Sequence, residues 1–545
     1  MKKIDLKLKS FKNFLSILFF TFSYIFSHSV INLFYLSTQS ADYMKYKNYL
    51  SYFQGSINAT NLEQGLSYFY LVSSMIEYNS SKNIFLNDEL LYSFSIQSVN
   101  FIIYTFGLIG FYLLLRFYNF DFFTILLVLG LLNFFPPALS LRFVMKPEIL
   151  GFALLPWIIL SFEKFFKSKK YIHLFESIIF LSLLVSLKIS ISAMILIFIS
   201  IKYFKKWLKI SYKQILFSIL AFVIFTSALL IENYNSNGYF LTQAKHDSVY
   251  DNKASPKVIF NVNLINLLKE PYQHTQKDSM IGIFLLDTFD DYFNLDWNFD
   301  KSSFKKYRKE FLKPSESNNF GIEIDSKNKV LQYSGPFGFY LNFLRQYVAI
   351  FLTVAFYIFL YKQSKKFEKY KLYIVSPLIG IFILIINNVF GFPSNNFDPL
   401  RGDTFKTFYI AIFLCLSFVF ISSTILKEIS KVKIFTIIFY VFSIIFILGF
   451  PKANNDELDK KLSLNNQVSI FCEINKPILK NTLFDTSNLN CENFQIEELN
   501  SDKLELVNKP FINIFSIVFV IMMMIKSILR ELQKSYFKKY YNVEE

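Results

Sequence analysis

Long apolar runs recur along this chain, separated by short lysine-rich stretches, and the alternation reads as repeated crossing of a membrane. Runs such as Phe14 to Leu36 and Leu341 to Tyr361 are long enough to traverse a hydrocarbon core of roughly 30 Å at about 1.5 Å per residue. Helical spans are predicted near 13–36, 92–115, 122–136, 149–162, 174–187, 189–203, 214–232, 339–361, 372–390, 407–426, 434–450 and 511–529. Two stretches depart from the pattern. Residues 122–162 and 174–201 each hold a pair of shorter runs, the first divided by Pro136, Pro137, Arg142, Lys146 and Glu148, the second by Lys188. Each pair has lysine-rich flanks at both ends, so it must go out and return, as two crossings or as a re-entrant hairpin. The expected fold class is an all-α polytopic membrane protein with about twelve transmembrane helices and long extracytoplasmic loops of mixed structure.

Composition agrees: 69 of 545 residues are Phe, 53% are hydrophobic and the mean hydropathy is +0.35, more apolar surface than a soluble domain can bury. Orientation follows from the lysines. Lys2, Lys3, Lys7, Lys9 and Lys12 precede the first run and predict a cytoplasmic N-terminus. The groups at Lys164–Lys170, Lys202–Lys213, Lys362–Lys371, Lys427–Lys433 and Lys526–Lys539 then fall on that same side. The net charge of +16 is therefore topogenic, dispersed over loop ends, and no nucleic-acid partner is expected. The first run is too long for a signal-peptide core and lacks a small-x-small cleavage site before Ser37, so it is read as a permanent anchor. A bacterial inner (plasma) membrane is the expected location, with any site facing the periplasm or exterior.

Three long loops, 37–91, 233–338 and 451–510, lie on the outward side of this scheme, and loops of that length are commonly functional. In the first, Asp42, Tyr46, Tyr49 and Phe53 recur at helical spacing, as in an amphipathic helix at a membrane surface. Gly55 and Asn58 mark a turn before a second apolar-aromatic run, Leu66 to Ile76. The second loop holds a strand-like piece at Lys257–Ile259 and a Gly335-Pro336 turn. Of the cysteines, Cys415 lies within a span and is expected to pack inertly. Cys472 and Cys491 share an outward loop, where an oxidising compartment would favour a disulfide.

No glycine-rich phosphate loop, G-x-S-x-G elbow or metalloprotease histidine spacing is present, which argues against an ATP-driven pump or a histidine-zinc hydrolase. What remains is a set of charges near the outer surface. They are Asp42, the turn bearing Arg142, Lys146 and Glu148, then Lys188, Arg345 and Arg401. Charges at membrane depth are costly and usually face a cavity or a partner. Carboxylates beside several cations suit a reaction on a phosphate-linked lipid. Each residue also has a plain reading: acids favour helix starts, and lysines or arginines anchor at interfaces. The acidic-aromatic run from Asp287 includes Asp290, Asp291, Tyr292 and Trp297, which could stack on a sugar or acceptor or simply form a solvated turn.

An acid opening a helical first outward loop, a second outward turn with a Lys-Pro-Glu sequence, and a large outward loop after the seventh span together resemble GT-C glycosyltransferases. The likeness is greatest to the protein O-mannosyltransferase and aminoarabinose-transferase branch, and it covers roughly residues 10–350 as topology, which implies a catalytic module over 1–350 including loops 37–91 and 233–338. Residues 351–545, with loop 451–510, form a second part that the resemblance does not cover. The resemblance implies a polyprenyl-phosphate sugar donor, a lipid, glycan or protein acceptor, Asp42 as the catalytic carboxylate and Glu148 as the second acid. Asp42 and Glu148 are also the candidate ligands of a divalent metal, Mg or Mn. Lys188, Arg142, Lys146, Arg345 and Arg401 are the candidate donor-phosphate ligands. A single base opposite the leaving group implies inversion. A polysaccharide polymerase or ligase, or a lipid-linked oligosaccharide flippase or transporter, are the alternatives; the long acid-bearing first loop and the scarcity of histidine count against them.

Overall fold

The computed structural model describes residues 2–34, 37–39, 43–53, 67–81, 88–185, 189–237, 254–269, 276, 278–289, 335–390, 405 and 407–429. No strand occurs among them. The helices are α1 (Lys2–Phe34), α2 (Tyr43–Phe53), α3 (Ser67–Ser80), α4 (Asp88–Phe117), α5 (Phe122–Leu132), α6 (Pro136–Phe143), α7 (Glu148–Ser168), α8 (Tyr171–Val185), α9 (Ile189–Trp207) and α10 (Tyr212–Asn237). After these come the short α11 (Lys257–Phe260), α12 (Leu264–Lys269) and α13 (Met280–Asp287), then α14 (Gly335–Lys366), α15 (Lys371–Ile374), α16 (Ser376–Phe390) and α17 (Ala411–Ile429).

Among the described residues, three helices are individually long and apolar enough to cross a membrane: Leu91–Phe117, Glu148–Ser168 and Thr407–Lys427. The bent pairs Phe122–Leu132 with Pro136–Arg142, and Glu368–Ile374 with Ser376–Val389, raise that to five if each pair is one span. Large apolar side chains point outward from several helices, Leu216, Ile219, Leu220, Val223 and Ile224 of α10 being examples. A helix satisfies its own backbone hydrogen bonds, so such a face can meet lipid directly.

Two expected half-length runs turn out differently. α7 does not stop near residue 162 but continues to Ser168, despite Pro156 in its middle. Its continuation carries Glu163, whose charge is met by Lys206 at 3.3 Å and Lys202 at 3.9 Å, so the acid does not end the helix. The run before it is broken instead: α5 and α6 meet at 65°. Pro136 and Pro137 open α6, where a missing N–H costs nothing, and they cannot continue α5.

α4 and α7 are neighbours along their length. The Asn100 amide donates to the Arg142 and Val144 carbonyls just before α7, Trp157 Nε1 donates to the Phe106 carbonyl, and Lys167 lies over the Phe117 ring. The two helices therefore run parallel, with α5 and α6 making the return. Their close approach depends on small residues. A Cβ on Gly107 would lie 2.5 Å from the Phe152 ring and 3.2 Å from Ala153 Cα, and one on Gly110 would lie 2.6 Å from Trp157 Nε1. Gly107→Leu is expected to destabilise the fold by about 1–3 kcal/mol through overpacking. Thermal unfolding in detergent checks this, and an unchanged midpoint would show that α4 and α7 can part without loss.

The core is continuous across residue 350. Phe135 stacks on Phe418 of α17 with ring centroids 4.3 Å apart, and Phe289, beyond α13, and Phe356 of α14 pack on the same ring. Within residues 37–91, the helix expected from the spacing of Tyr46, Tyr49 and Phe53 is present as α2: Tyr43, Tyr46, Tyr49, Leu50 and Phe53 are buried, with Tyr49 stacked on Phe69 of α3 at 4.1 Å. The second loop differs from expectation. Lys257–Phe260 is a helical turn rather than strand-like, because Val258 is drawn into the core beside Ala254, whose amide is bound by the Asn388 carbonyl. Gly335-Pro336 opens α14 instead of forming a turn, proline being well suited to a first helical turn.

Lysine-rich ends gather at one end of the bundle. Lys369 lies over Tyr118, Lys427 over Phe120, and Lys202 and Lys206 reach Glu163. Among the described residues, these are the ends of α7 and α9, the turn before α15 and the end of α17.

Candidate functional site

At the opposite end lies the connection between α6 and α7, where Arg142, Lys146 and Glu148 are all buried, at 1%, 7% and 1% exposure. Lys146 is followed by Pro147, which precedes the first residue of α7, so Glu148 begins that helix with its carboxylate in the favourable field of the N-terminus. This turn is covered from two sides. Tyr68 of α3 donates to Asn100 Oδ1 at 2.8 Å, and Asn100 in turn holds the Arg142 and Val144 carbonyls at 2.9 and 3.1 Å. The Tyr68 hydroxyl also feels the Glu148 charge. Burial first, and the Glu148 carboxylate to a lesser degree, raise the Tyr68 phenol above its ordinary pKa, so it stays a neutral donor.

The second cover is the 3₁₀ turn Thr407–Ile410 ahead of α17. The Lys146 ammonium sits 4.7 Å from the Phe408 ring centroid and 6.0 Å from that of Tyr409. The turn is itself pinned from the end of α13: the Thr407 amide and hydroxyl both donate to Asp287 Oδ2 at 2.7 Å. Asp287 opens the acidic-aromatic run, and its carboxylate closes α13 onto this turn.

Arg142 has a different environment. Its Nη1 donates to Ser27 Oγ of α1 at 2.8 Å, its Nη2 to the Asn133 carbonyl at 2.5 Å and its Nε to the Ala138 carbonyl at 3.4 Å. The guanidinium carbon stands 4.5 Å from the Tyr104 ring centroid. Asn133 completes the network, accepting from Tyr104 at 3.0 Å and donating to Ser23 at 3.0 Å. The carbonyls near Asn133 are left without helical partners by the α5–α6 break, and a buried orphan carbonyl is costly in a membrane. Arg142 supplies the missing donors. Its guanidinium is thus directed into the bundle break, whereas Lys146 points toward the aromatic cover.

The structure brings Arg142, Lys146 and Glu148 together. Asp42, Lys188, Asp290, Asp291, Tyr292, Trp297, Arg401, Cys472 and Cys491 lie outside the described residues, and Arg345 is placed on α14 by its backbone alone. Cys415 is a buried free thiol, as expected of a packing residue. No group of three His, Cys, Asp or Glu side chains gathers as a metal site among the described residues. Tyr68, Asn100 and Asn133 were not legible as site residues, although an asparagine within a predicted span is a signal of a buried polar network.

Comparison with protein-family models gives no match, and neither curated proteins nor solved structures match the chain.

Proposed function

We propose that this chain is an integral membrane glycosyltransferase of GT-C type with about twelve spans, moving a sugar from a polyprenyl-phosphate donor to an acceptor on the outward side. One observation carries the reading: Lys146 and Glu148, opposite charges two residues apart, are buried at the end of the bundle away from the lysine-rich ends, under covers from α3 and the Thr407–Ile410 turn. A lysine and a carboxylate held in a water-poor turn are the parts needed to meet a departing phosphate and to order a sugar or a metal ion.

In the reaction, the acceptor oxygen bonds to the anomeric carbon while the bond from that carbon to the phosphate oxygen breaks. The acceptor proton passes to the Asp42 carboxylate, and the electron pair leaves with polyprenyl phosphate. Lys146 stabilises that leaving oxygen, with Lys188, Arg345 and Arg401 as further cations for the same group. Attack opposite the leaving group inverts the sugar. Arg142 holds the broken helix on which Lys146 and Glu148 are mounted, and Tyr68 keeps α3 over them. Mg or Mn could join Asp42 and Glu148; Asp290, Asp291, Tyr292 and Trp297 are proposed to contact sugar or acceptor.

The test is mass spectrometry of envelope glycolipids, glycans and glycoproteins from cells with and without this chain. The expected result is loss of one sugar from one class, with its polyprenyl-phosphate donor accumulating. Unchanged products with a lipid-linked oligosaccharide stranded on the cytoplasmic side would favour a flippase instead.

A further inference from the structure

The lysine-rich end of the bundle holds a cavity of about 500 Å³ that sugar transfer leaves without a role. Five lysines line it: Lys167 and Lys169 from the end of α7, Lys206 from the end of α9, Lys209 from the turn after it, and Lys369 from the turn Glu368–Tyr370. In the sequence these belong to three separate lysine groups, each explained by topology alone; the fold brings them around one opening.

Aromatic rings seat four of the five ammonium groups. Lys167 lies 5.8 Å from the Phe117 centroid, Lys169 5.5 Å from Phe166, Lys206 5.2 Å from Phe166 and Lys369 5.2 Å from Tyr118. A ring orients a cation without cancelling its charge. Glu163 is the one acid lining the cavity, and it is already engaged: Lys206 at 3.3 Å, Lys202 at 3.9 Å, and the Tyr203 and Tyr373 hydroxyls at 3.2 and 3.1 Å. Among the described residues, Lys167, Lys169, Lys209 and Lys369 have no carboxylate within ion-pair range.

Helix polarity accounts for only part of this. Lys167 and Lys206 stand in last helical turns, where the macrodipole favours cations, but Lys209 and Lys369 lie in connecting turns that gain little from it. Lys169 adopts a left-handed backbone (φ 57°) at the α7 C-cap, where glycine would be unstrained. Like charges gathered at one opening repel one another unless an anion joins them.

We infer that this cavity binds a phosphate-bearing anion, supplied either by a membrane lipid headgroup or by a soluble phosphorylated molecule. Lysine suits the role as a set of point charges around a multiply charged group. The inference is independent of the sugar-transfer reading, since its test reads binding and not turnover.

The experiment uses the full chain purified in nonionic detergent, with two probes. Inorganic pyrophosphate binding is measured by calorimetry, and retention of phosphatidylglycerol is measured by native mass spectrometry against phosphatidylcholine. The combined variant Lys167→Gln, Lys169→Gln and Lys369→Gln leaves the Glu163 ion pairs intact. The control variant Lys205→Gln, Lys213→Gln and Lys362→Gln removes equal charge from the same end outside the cavity. At about a fivefold loss per ammonium, the cavity variant should weaken binding by roughly a hundredfold, and the control by less than about threefold. Pyrophosphate binding without lipid retention assigns the soluble source, and the converse assigns the headgroup. Equal loss in both variants, or no binding of either probe by the wild-type chain, overturns the inference.

Discussion

Asp42→Asn is expected to abolish most sugar transfer, lowering turnover by about 10²–10⁴-fold, while the folded protein survives in the membrane. The amide keeps the shape of the carboxylate but cannot take the acceptor proton in the transition state. Lys146→Met should behave differently. The phosphate it meets is present in bound donor and transition state alike, so donor affinity and turnover should fall together. Glu148→Gln should lie between the two, and added Mg²⁺ or Mn²⁺ should restore part of the loss only if Glu148 holds a metal. Steady-state transfer rates on variants of matched thermal stability decide the matter. Wild-type turnover by Asp42→Asn at saturating donor and acceptor would remove Asp42 from the mechanism.

The largest effect on stability is expected at Arg142. Arg142→Met retains apolar bulk and removes the donors to Ser27, Asn133 and Ala138, leaving the Asn133 carbonyl at the α5–α6 break without its donor. Leaving a buried polar group without its partner costs about 1–3 kcal/mol in soluble proteins. Membrane hydrogen bonds average nearer 0.6 kcal/mol each, so about 2–4 kcal/mol is the expected loss here. Unfolding in detergent measures it. A folded Arg142→Met variant of wild-type stability that fails only in donor binding would return Arg142 to the set of phosphate ligands.

Periodicity made the helices legible, and local chemistry made the turn legible. The spacing of Tyr46, Tyr49 and Phe53 gave α2 its buried face, because a helix repeats every three to four residues whatever it packs against. Lys146 and Glu148 stood out because charges between apolar runs are expensive. The role of Arg142 was not legible. Its partner Ser27 lies 115 residues away, and the helix break that needs its donors exists only once α5 and α6 have bent. Lys257–Ile259 misled for the same reason: a short β-favouring run carries a weak preference that tertiary anchoring at Ala254 and Val258 overrides. The lysine cavity was not legible. Topology explains why lysines lie at those loop ends, but which loops share an opening is decided by packing among α4, α7, α9 and the turn before α15.

The most direct measurement is transfer by the purified chain in detergent, where no compartment remains to be crossed. A panel of polyprenyl-phosphate-linked hexoses and pentoses is offered with lipid, glycan and protein fractions of the native envelope as acceptors. The account predicts acceptor-dependent release of polyprenyl phosphate by the wild-type chain with one donor, and none by Asp42→Asn. No release with any donor and acceptor, from a chain that moves the same lipid-linked sugar across a sealed vesicle membrane, would contradict it.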